Sequence, residues 1–545
     1  MKILKISLLV IICLAGLAFA VFKFYKAEKK EILITMDDGV SLNTSLFIPR
    51  GIGSFPTILV RTPYNKYVDE WMGQAFNLFR IAVVLQDVRG RYKSGGEYYP
   101  FINERKDGLK TLRWIREQPW SDGKVAGWGG SYLGFTQWAI SDSLDFLTLL
   151  LTGANLYDFT YPDSLFSLQT AYLWGTESTA NKLNKIDSAR RSNAIMTLPL
   201  IAADDSALKD IDFFNDWVIH DRYDEYWKKL DFRGKANTPV LSIAGWYDLF
   251  LKAQIRDFQA LEANGDNPGH LVIGPWAHGP VGEPNTYGDT EKSGDPKQIF
   301  KFVKNFLRKN RMSLGPPFKD KRYNLFIMER NEYMGSDVWP PEETKIIPHY
   351  LGPGRSIMKK PLSLRGELSY IYNPADPFPS LGGTTLGTGV GPARQNPNSE
   401  RNDQLIFEMP VDSEPMILLG PVSATLWLSS SAECTDFIVG IQDVFPDGKI
   451  INIQEGGAKA RFDSENPEKK EISVWATGYQ LNPGHKLRVF ISSSWFPRYN
   501  RSLNSCEAAA DATTMTEAKQ TVWYGPDTPS SINLPVYDIS STTKK

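Results

Sequence analysis

The chain has 545 residues, 42% of them hydrophobic and 12% aromatic, enough apolar material for the cores of two or three domains. Its 61 Lys and Arg against 62 Asp and Glu leave a net charge of -1, which excludes the concentrated positive charge that a nucleic-acid backbone demands. Small-molecule partners are expected instead.

Lys2 and Lys5, an apolar run from Ile6 to Phe22 and the basic stretch KFYKAEKK follow in the order of a secretory signal. AFA ending at Ala20 fits a small-x-small cleavage site, so residues 1–22 are read as a signal peptide, with a retained membrane anchor as the alternative. A periplasmic or extracellular location follows. Cys13 has Ile12 before it rather than a small residue, which argues against a lipoprotein signal.

Over residues 31–151, apolar β-branched runs such as TILVRTPY and IAVVLQDVRG read as strands, and GLKTLRWIREQPW has helical spacing through Leu109, Leu112, Trp114 and Ile115. Strands alternating with helices predict a mostly parallel sheet. Over 152–235 the strand signal fades into aromatic-rich, helix-compatible segments such as DFFNDWVIHDRYDEYWKKL, the pattern of a helical insertion. Buried strands resume over 236–344 at TPVLSIAGWYD and GHLVIGPWAH, and PKQIFKFVKNFLRKN supplies an amphipathic helix through Ile299, Phe302, Val303 and Phe306. The first domain is therefore interrupted and then completed.

From 345 to 540 short alternating runs such as ATLWLSSS, FIVGIQDV and HKLRVFISSS predict an all-β domain, most simply a sandwich or jelly roll. The Ser- and Thr-rich tail from Ser540 reads as disordered. Cys434 and Cys506 are too few for a disulfide scaffold and lack metal-ligand spacing, so two buried free thiols are expected, with a single bridge as the alternative.

GWGGSYLGF, residues 127–135, surrounds Ser131 with small residues, yet departs from G-x-S-x-G: Gly129 is in place, position 133 is Leu133, and the glycine arrives at Gly134. KVAGW before it reads as a strand and FTQWAI after it as a helix, the setting in which a strained turn presents a nucleophilic serine. Such a serine needs a base, and the base a carboxylate, in the chain order Ser, acid, His. Among five histidines, His278 stands out because LVIGPWAHG places it just after a buried strand. Asp248 sits likewise just past VLSIAGWY. A helix N-cap for Asp248 and a turn histidine for His278 are the structural alternatives.

These residues resemble the cocaine esterase and X-prolyl dipeptidyl-peptidase group of serine hydrolases, the CocE/NonD hydrolases, whose elbow reads G-x-S-Y-x-G, as GGSYLG does. RTPYNK, QDVRGRYKSGGEYYPF, QPWSDGKVAGWGGSYLG, WYDLF and GPWAHG resemble its N-terminal motifs, and YNPADPFPSLGG, VFPDGKIINIQEG and SSSWFPRYNRSLNS its jelly roll. The resemblance implies an α/β-hydrolase domain with a helical cap, then a jelly-roll domain. It implies Ser131 as nucleophile, His278 as base, Asp248 as its orienting acid, and the Tyr64 hydroxyl with the Tyr132 N–H as oxyanion hole. No metal or organic cofactor is implied.

Asp87 is expected in an internal ion pair with Arg89 or Arg91. Trp246 and Trp276, each close to a member of the expected triad, are candidate pocket residues, with a place in the core as the alternative. Relatives acting on α-amino acid esters carry acids two and three places after the triad aspartate, where this chain has Phe250 and Leu251. An ammonium there lacks its counter-charge unless Asp158 or Asp163 substitutes. A neutral ester, or an amide, is the expected small-molecule substrate. X-Pro dipeptidyl-peptidase or acylase activity, and a non-catalytic carbohydrate-binding role, are the alternatives.

Overall fold

The computed structural model describes residues 28–540 apart from 180–189, 191–192, 208–209, 264, 266–268, 280–300, 302, 308–313 and 388. The run from Ile6 to Phe22, Ile299, Phe302 and the tail after Ser540 lie outside the described residues. Residues 303–307 are helical, and Val303 and Leu307 are buried there. Among the described residues, no helix is long and apolar enough to cross a membrane.

The N-terminal domain is built on a ten-stranded sheet. Its strands are β1 (Glu28–Thr35), β2 (Ser41–Ile48), β3 (Phe55–Thr62), β4 (Ala82–Asp87), β5 (Ser121–Gly130), β6 (Phe146–Leu150), β7 (Val240–Tyr247), β8 (Gly269–Ala277), β9 (Tyr323–Ile327) and β10 (Glu332–Ser336), in the order β1-β2-β4-β3-β5-β6-β7-β8-β9-β10. Every pairing from β4 to β9 along that path is parallel, and antiparallel pairings occur only at the two edges. Parallel strands are covered on both faces, which is why β3, β4, β7 and β8 are buried along their whole length and read as continuous apolar runs. Helix α1 (Glu104–Arg116) buries Leu112 and Ile115 together with the carboxylates of Glu104 and Asp107.

Between β6 and β7 the chain leaves the sheet and forms helices. The insertion includes α3 (Leu168–Thr179) and α4 (Asp212–Ile219), whose Trp174 and Trp217 stack at 5.8 Å. Aromatic side chains give these short helices a core that their length alone does not supply. The remaining helices near the site are α2 (Tyr132–Trp138), directly after β5, and α5 (Leu251–Ala263), after β7.

From Thr344 onward the chain is all β, with long paired strands including Met416–Ser430, Cys434–Val444, Ile450–Arg461 and Glu468–Leu481. This domain docks directly on the first: Tyr247 donates its hydroxyl proton to the Asn452 carbonyl at 2.9 Å, and Gln454 donates to the Trp246 carbonyl at 3.0 Å. Cys434 and Cys506 are not free thiols. They form a disulfide with Cα atoms 5.1 Å apart, joining the start of one strand to a loop 72 residues later. Nothing local in the sequence signals that approach, because the intervening strands create it.

Candidate active site

Ser131 joins β5 to α2 with φ 51° and ψ -125°, backbone angles that a non-glycine residue adopts only under strain. Surrounding hydrogen bonds hold it there. Its N–H donates to the carbonyls of Leu150 and Leu151 at 3.0 and 3.2 Å, and the Thr152 hydroxyl donates to its carbonyl at 2.7 Å. The glycine spacing also has a physical reason. A Cβ on Gly129 would lie 2.2 Å from the Leu133 backbone, and one on Gly134 would lie 2.5 Å from the Thr152 side chain. Position 134, rather than 133, is where the helix crosses the residue following β6.

Asp248 and His278 follow β7 and β8, so neighbouring parallel strands deliver both to the same end of the sheet. The Asp248 carboxylate is fully buried. One oxygen accepts the Phe250 N–H at 2.8 Å, and the other lies 2.7 Å from His278 Nδ1. His278 Nε2 lies 3.1 Å from Ser131 Oγ. With Nδ1 protonated toward the carboxylate, Nε2 presents its lone pair to the serine hydroxyl. That is the polarity a general base requires.

Tyr132 begins α2, so its N–H has no intrahelical acceptor. The Tyr132 side chain is anchored below. Its hydroxyl donates to Glu104 Oε1 at 2.7 Å and accepts the Phe101 N–H at 2.9 Å, while Arg61 pairs with the other Glu104 oxygen at 2.8 Å. Burial raises the Glu104 carboxyl above its ordinary value, with the Arg61 guanidinium pulling it back. Tyr64 leaves 39% of its surface exposed. Desolvation of its hydroxyl group pushes its pKa up to about 12, against the opposing hydrogen bond from Trp174, so the phenol stays protonated at neutral pH.

A cavity of about 240 Å³ opens onto Ser131 and His278. The first domain contributes Tyr64, Phe101, Tyr132, Phe135 and Phe250, the insertion contributes Phe159, Trp174 and Trp217, and the β domain contributes Leu386. Phe250 packs on His278 at 5.6 Å and on Phe159 at 4.7 Å. The lining is mainly apolar, and Glu177, one turn beyond Trp174 on α3, places a carboxylate at it.

Three expected pocket residues lie elsewhere. Trp246 is buried toward the β domain, donates to the Phe326 carbonyl at 2.6 Å and packs where a Cβ on Gly478 would lie 2.8 Å from its ring. Trp276 folds over Gly274 of its own strand, and Leu251 is a fully buried residue of α5. The register of β7 and β8 shifts between Gly245 and Tyr247, so nearness in sequence to Asp248 or His278 does not bring a side chain into the cavity.

Asp87 pairs with neither Arg89 nor Arg91. It accepts the Lys66 N–H at 2.8 Å, Arg89 pairs with Asp107 at 2.7 Å and with Asp38 at 2.9 Å, and Arg91 donates to the carbonyls of Pro63 and Ser178. Asp158 and Asp163 are not ammonium ligands either. Arg233 and Arg256 engage the first, and Lys252 and the Trp475 indole N–H engage the second. Phe159, Trp174, Glu177 and Leu386 are site residues that the sequence did not single out. The aromatic density of the insertion was the one available signal.

A nucleophile elbow and a strand-end Asp-His pair on a parallel sheet define the class: an α/β-hydrolase with the site architecture of a serine hydrolase. Similar proteins narrow that class. Residues 38–280 match the family described as X-Pro dipeptidyl-peptidase (S15 family), and residues 319–533 match the X-Pro dipeptidyl-peptidase C-terminal non-catalytic domain. Cocaine esterase of Rhodococcus sp. (strain MB1 Bresler) is 33% identical over 570 residues, covering 93% of this chain and 98% of its own. The crystal structure of an aminopeptidase from the marine sediment archaeon Thaumarchaeota archaeon has TM-score 0.80 at 22% identity, over 95% of this chain and 97% of its own. An α-amino acid ester hydrolase has TM-score 0.78 at 22% identity, over 94% and 97%. These two structures carry the fold. The chain belongs to the cocaine esterase and X-Pro dipeptidyl-peptidase family of serine hydrolases, the CocE/NonD hydrolases.

Proposed function

We propose that the protein hydrolyses carboxylic esters through an acyl-enzyme on Ser131. The row Asp248, His278, Ser131 opening into an apolar cavity is the observation that carries this reading. His278 Nε2 takes the hydroxyl proton as Ser131 Oγ attacks the carbonyl carbon, and Asp248 stabilises the imidazolium that forms. The Tyr64 hydroxyl and the Tyr132 N–H receive the oxyanion. Collapse breaks the ester C–O bond, and the departing alkoxide takes the proton from His278. Water then repeats the sequence at the acyl carbon and releases the acid.

A neutral acyl or aryl group fits the aromatic lining, in which burial of apolar area provides the binding free energy. Glu177 supports a second reading, in which an amine-bearing ester or amide is accepted with its cation toward that carboxylate. Export by residues 1–22 is also proposed. The Cys434–Cys506 disulfide supports it, since such bonds persist in oxidising compartments. The experiment is hydrolysis of a panel of p-nitrophenyl esters, aminoacyl p-nitroanilides and X-Pro p-nitroanilides by the protein lacking residues 1–20, beside Ser131→Ala. Cleavage of neutral esters that disappears with Ser131 is the expected outcome. A preference for X-Pro anilides would overturn the neutral-ester reading, and no serine-dependent cleavage would overturn the enzyme reading.

A further inference from the structure

The α3 helix of the insertion reaches into the oxyanion site. Trp174 Nε1 donates a hydrogen bond to the Tyr64 hydroxyl oxygen at 2.7 Å. An indole N–H has no lone pair to offer, so this bond runs in one direction only. The Tyr64 oxygen acts as acceptor toward Trp174, and its own proton must point elsewhere. Tyr64, Ser131 and His278 line the same cavity.

From this we infer that Trp174 is a positioning residue that fixes the Tyr64 hydroxyl oxygen as an acceptor on its indole side and so turns the phenol proton away from Trp174. The Tyr64 O–H is thereby directed to the cavity that holds Ser131 and His278 before substrate arrives. Without the indole N–H, the phenol proton is free to rotate toward other acceptors. Reorienting it during the reaction is the reorganisation that preorganised donors avoid.

Two further contacts fix the span. Arg91 Nε donates to the Pro63 carbonyl at 2.9 Å and its Nη1 donates to the Ser178 carbonyl at 2.8 Å, so one guanidinium ties the segment bearing Tyr64 to the helix bearing Trp174. The indole itself is wedged between Tyr132 at 6.0 Å and Trp217 at 5.8 Å. The insertion thus takes part in orienting the oxyanion donor besides walling the cavity. Accepting one bond also strengthens the phenol as donor of the next, through the mutual polarisation of hydrogen bonds in a chain.

The inference rests on the esterase reading, and a double-mutant cycle separates the two. Trp174→Phe, and benzothienylalanine at position 174 as a shape-preserving replacement that lacks only the N–H, are each made with Tyr64 and with Tyr64→Phe. The expected result is a roughly tenfold loss of kcat on a neutral p-nitrophenyl ester, the scale of one hydrogen bond. With benzothienylalanine KM stays within about twofold, and binding of benzeneboronic acid, which adds to Ser131 and needs the oxyanion donors, weakens by the same factor as kcat. In the Tyr64→Phe background benzothienylalanine lowers kcat no further. An equal loss with benzothienylalanine in both backgrounds, or full kcat with it beside Tyr64, overturns the inference alone. Absence of Ser131-dependent turnover in the wild type overturns the esterase reading and this inference with it.

Discussion

The described residues contain two buried Asp-His pairs of nearly the same geometry. Asp248 and His278 approach to 2.7 Å at the strand ends of the first domain, and Asp443 and His485 approach to 2.9 Å inside the β domain. Burial does not distinguish them: both carboxylates are fully buried, and the imidazoles are 12% and 10% exposed. The difference lies in what each pair faces. His278 turns its second nitrogen to a serine held on a strained elbow, while the ring of His485 packs on Phe445 at 4.6 Å and its carboxylate also accepts the Tyr479 hydroxyl at 2.9 Å. A carboxylate with an imidazole is a general way to satisfy buried polar groups. The elbow and the donors around it turn one such pair into chemistry.

The largest effects should come from breaking the first pair. Ser131→Ala should abolish ester turnover, and Asp248→Asn should lower kcat by roughly 10⁴-fold, because the amide no longer holds the imidazole tautomer that leaves Nε2 as acceptor. Asp443→Asn, the same chemical change in the second pair, should leave kcat and KM unchanged. Steady-state kinetics of the three variants, with circular dichroism to establish folding, checks all three. A large loss of kcat in folded Asp443→Asn would remove the distinction drawn above. Below these effects stands Tyr64→Phe, expected to lower kcat by roughly 10²-fold at unchanged KM, the scale of one lost oxyanion donor. Unchanged turnover in that variant would take Tyr64 out of the reaction.

The sequence made the first pair legible and left the second unremarked. Asp248 and His278 each follow a continuous buried strand and Ser131 follows the shorter run KVAGW, so strand-end position could be read locally, and the parallel sheet then brings them together. The family motifs added Tyr64 and Tyr132. Trp174, Glu177 and Leu386 were not legible, because their nearness to Ser131 depends on how α3 and the β domain lie over the sheet. The Cys434–Cys506 bridge escaped for the same reason. Trp246 and Trp276 misled because proximity in sequence to Asp248 and His278 was read as proximity to the cavity, whereas the Trp246 indole engages the Phe326 carbonyl and the Trp276 ring folds over Gly274.

The smallest effect sharpens the comparison within one strand. Asp443 and Asp436 both lie on Cys434–Val444, but among the described residues Asp436 has no hydrogen-bond donor and no histidine beside it. Burial raises its carboxyl to about 6, with Lys459 pulling weakly the other way. A folded-state value above the unfolded value of 3.8 means that the native protein holds the proton more tightly. The stability this contributes is present in full below about pH 4, is lost as pH rises through about 6, and stays lost above it. At pH 7 the ionised carboxylate therefore costs about 3 kcal/mol relative to a neutral side chain. Asp436→Asn should raise the urea midpoint of the β domain at pH 7, leave it unchanged near pH 4, and leave kcat unaltered throughout. An equal shift at both pH values would show that the side-chain amide stabilises through packing or new hydrogen bonds, and that the charge of Asp436 is not the source of the difference.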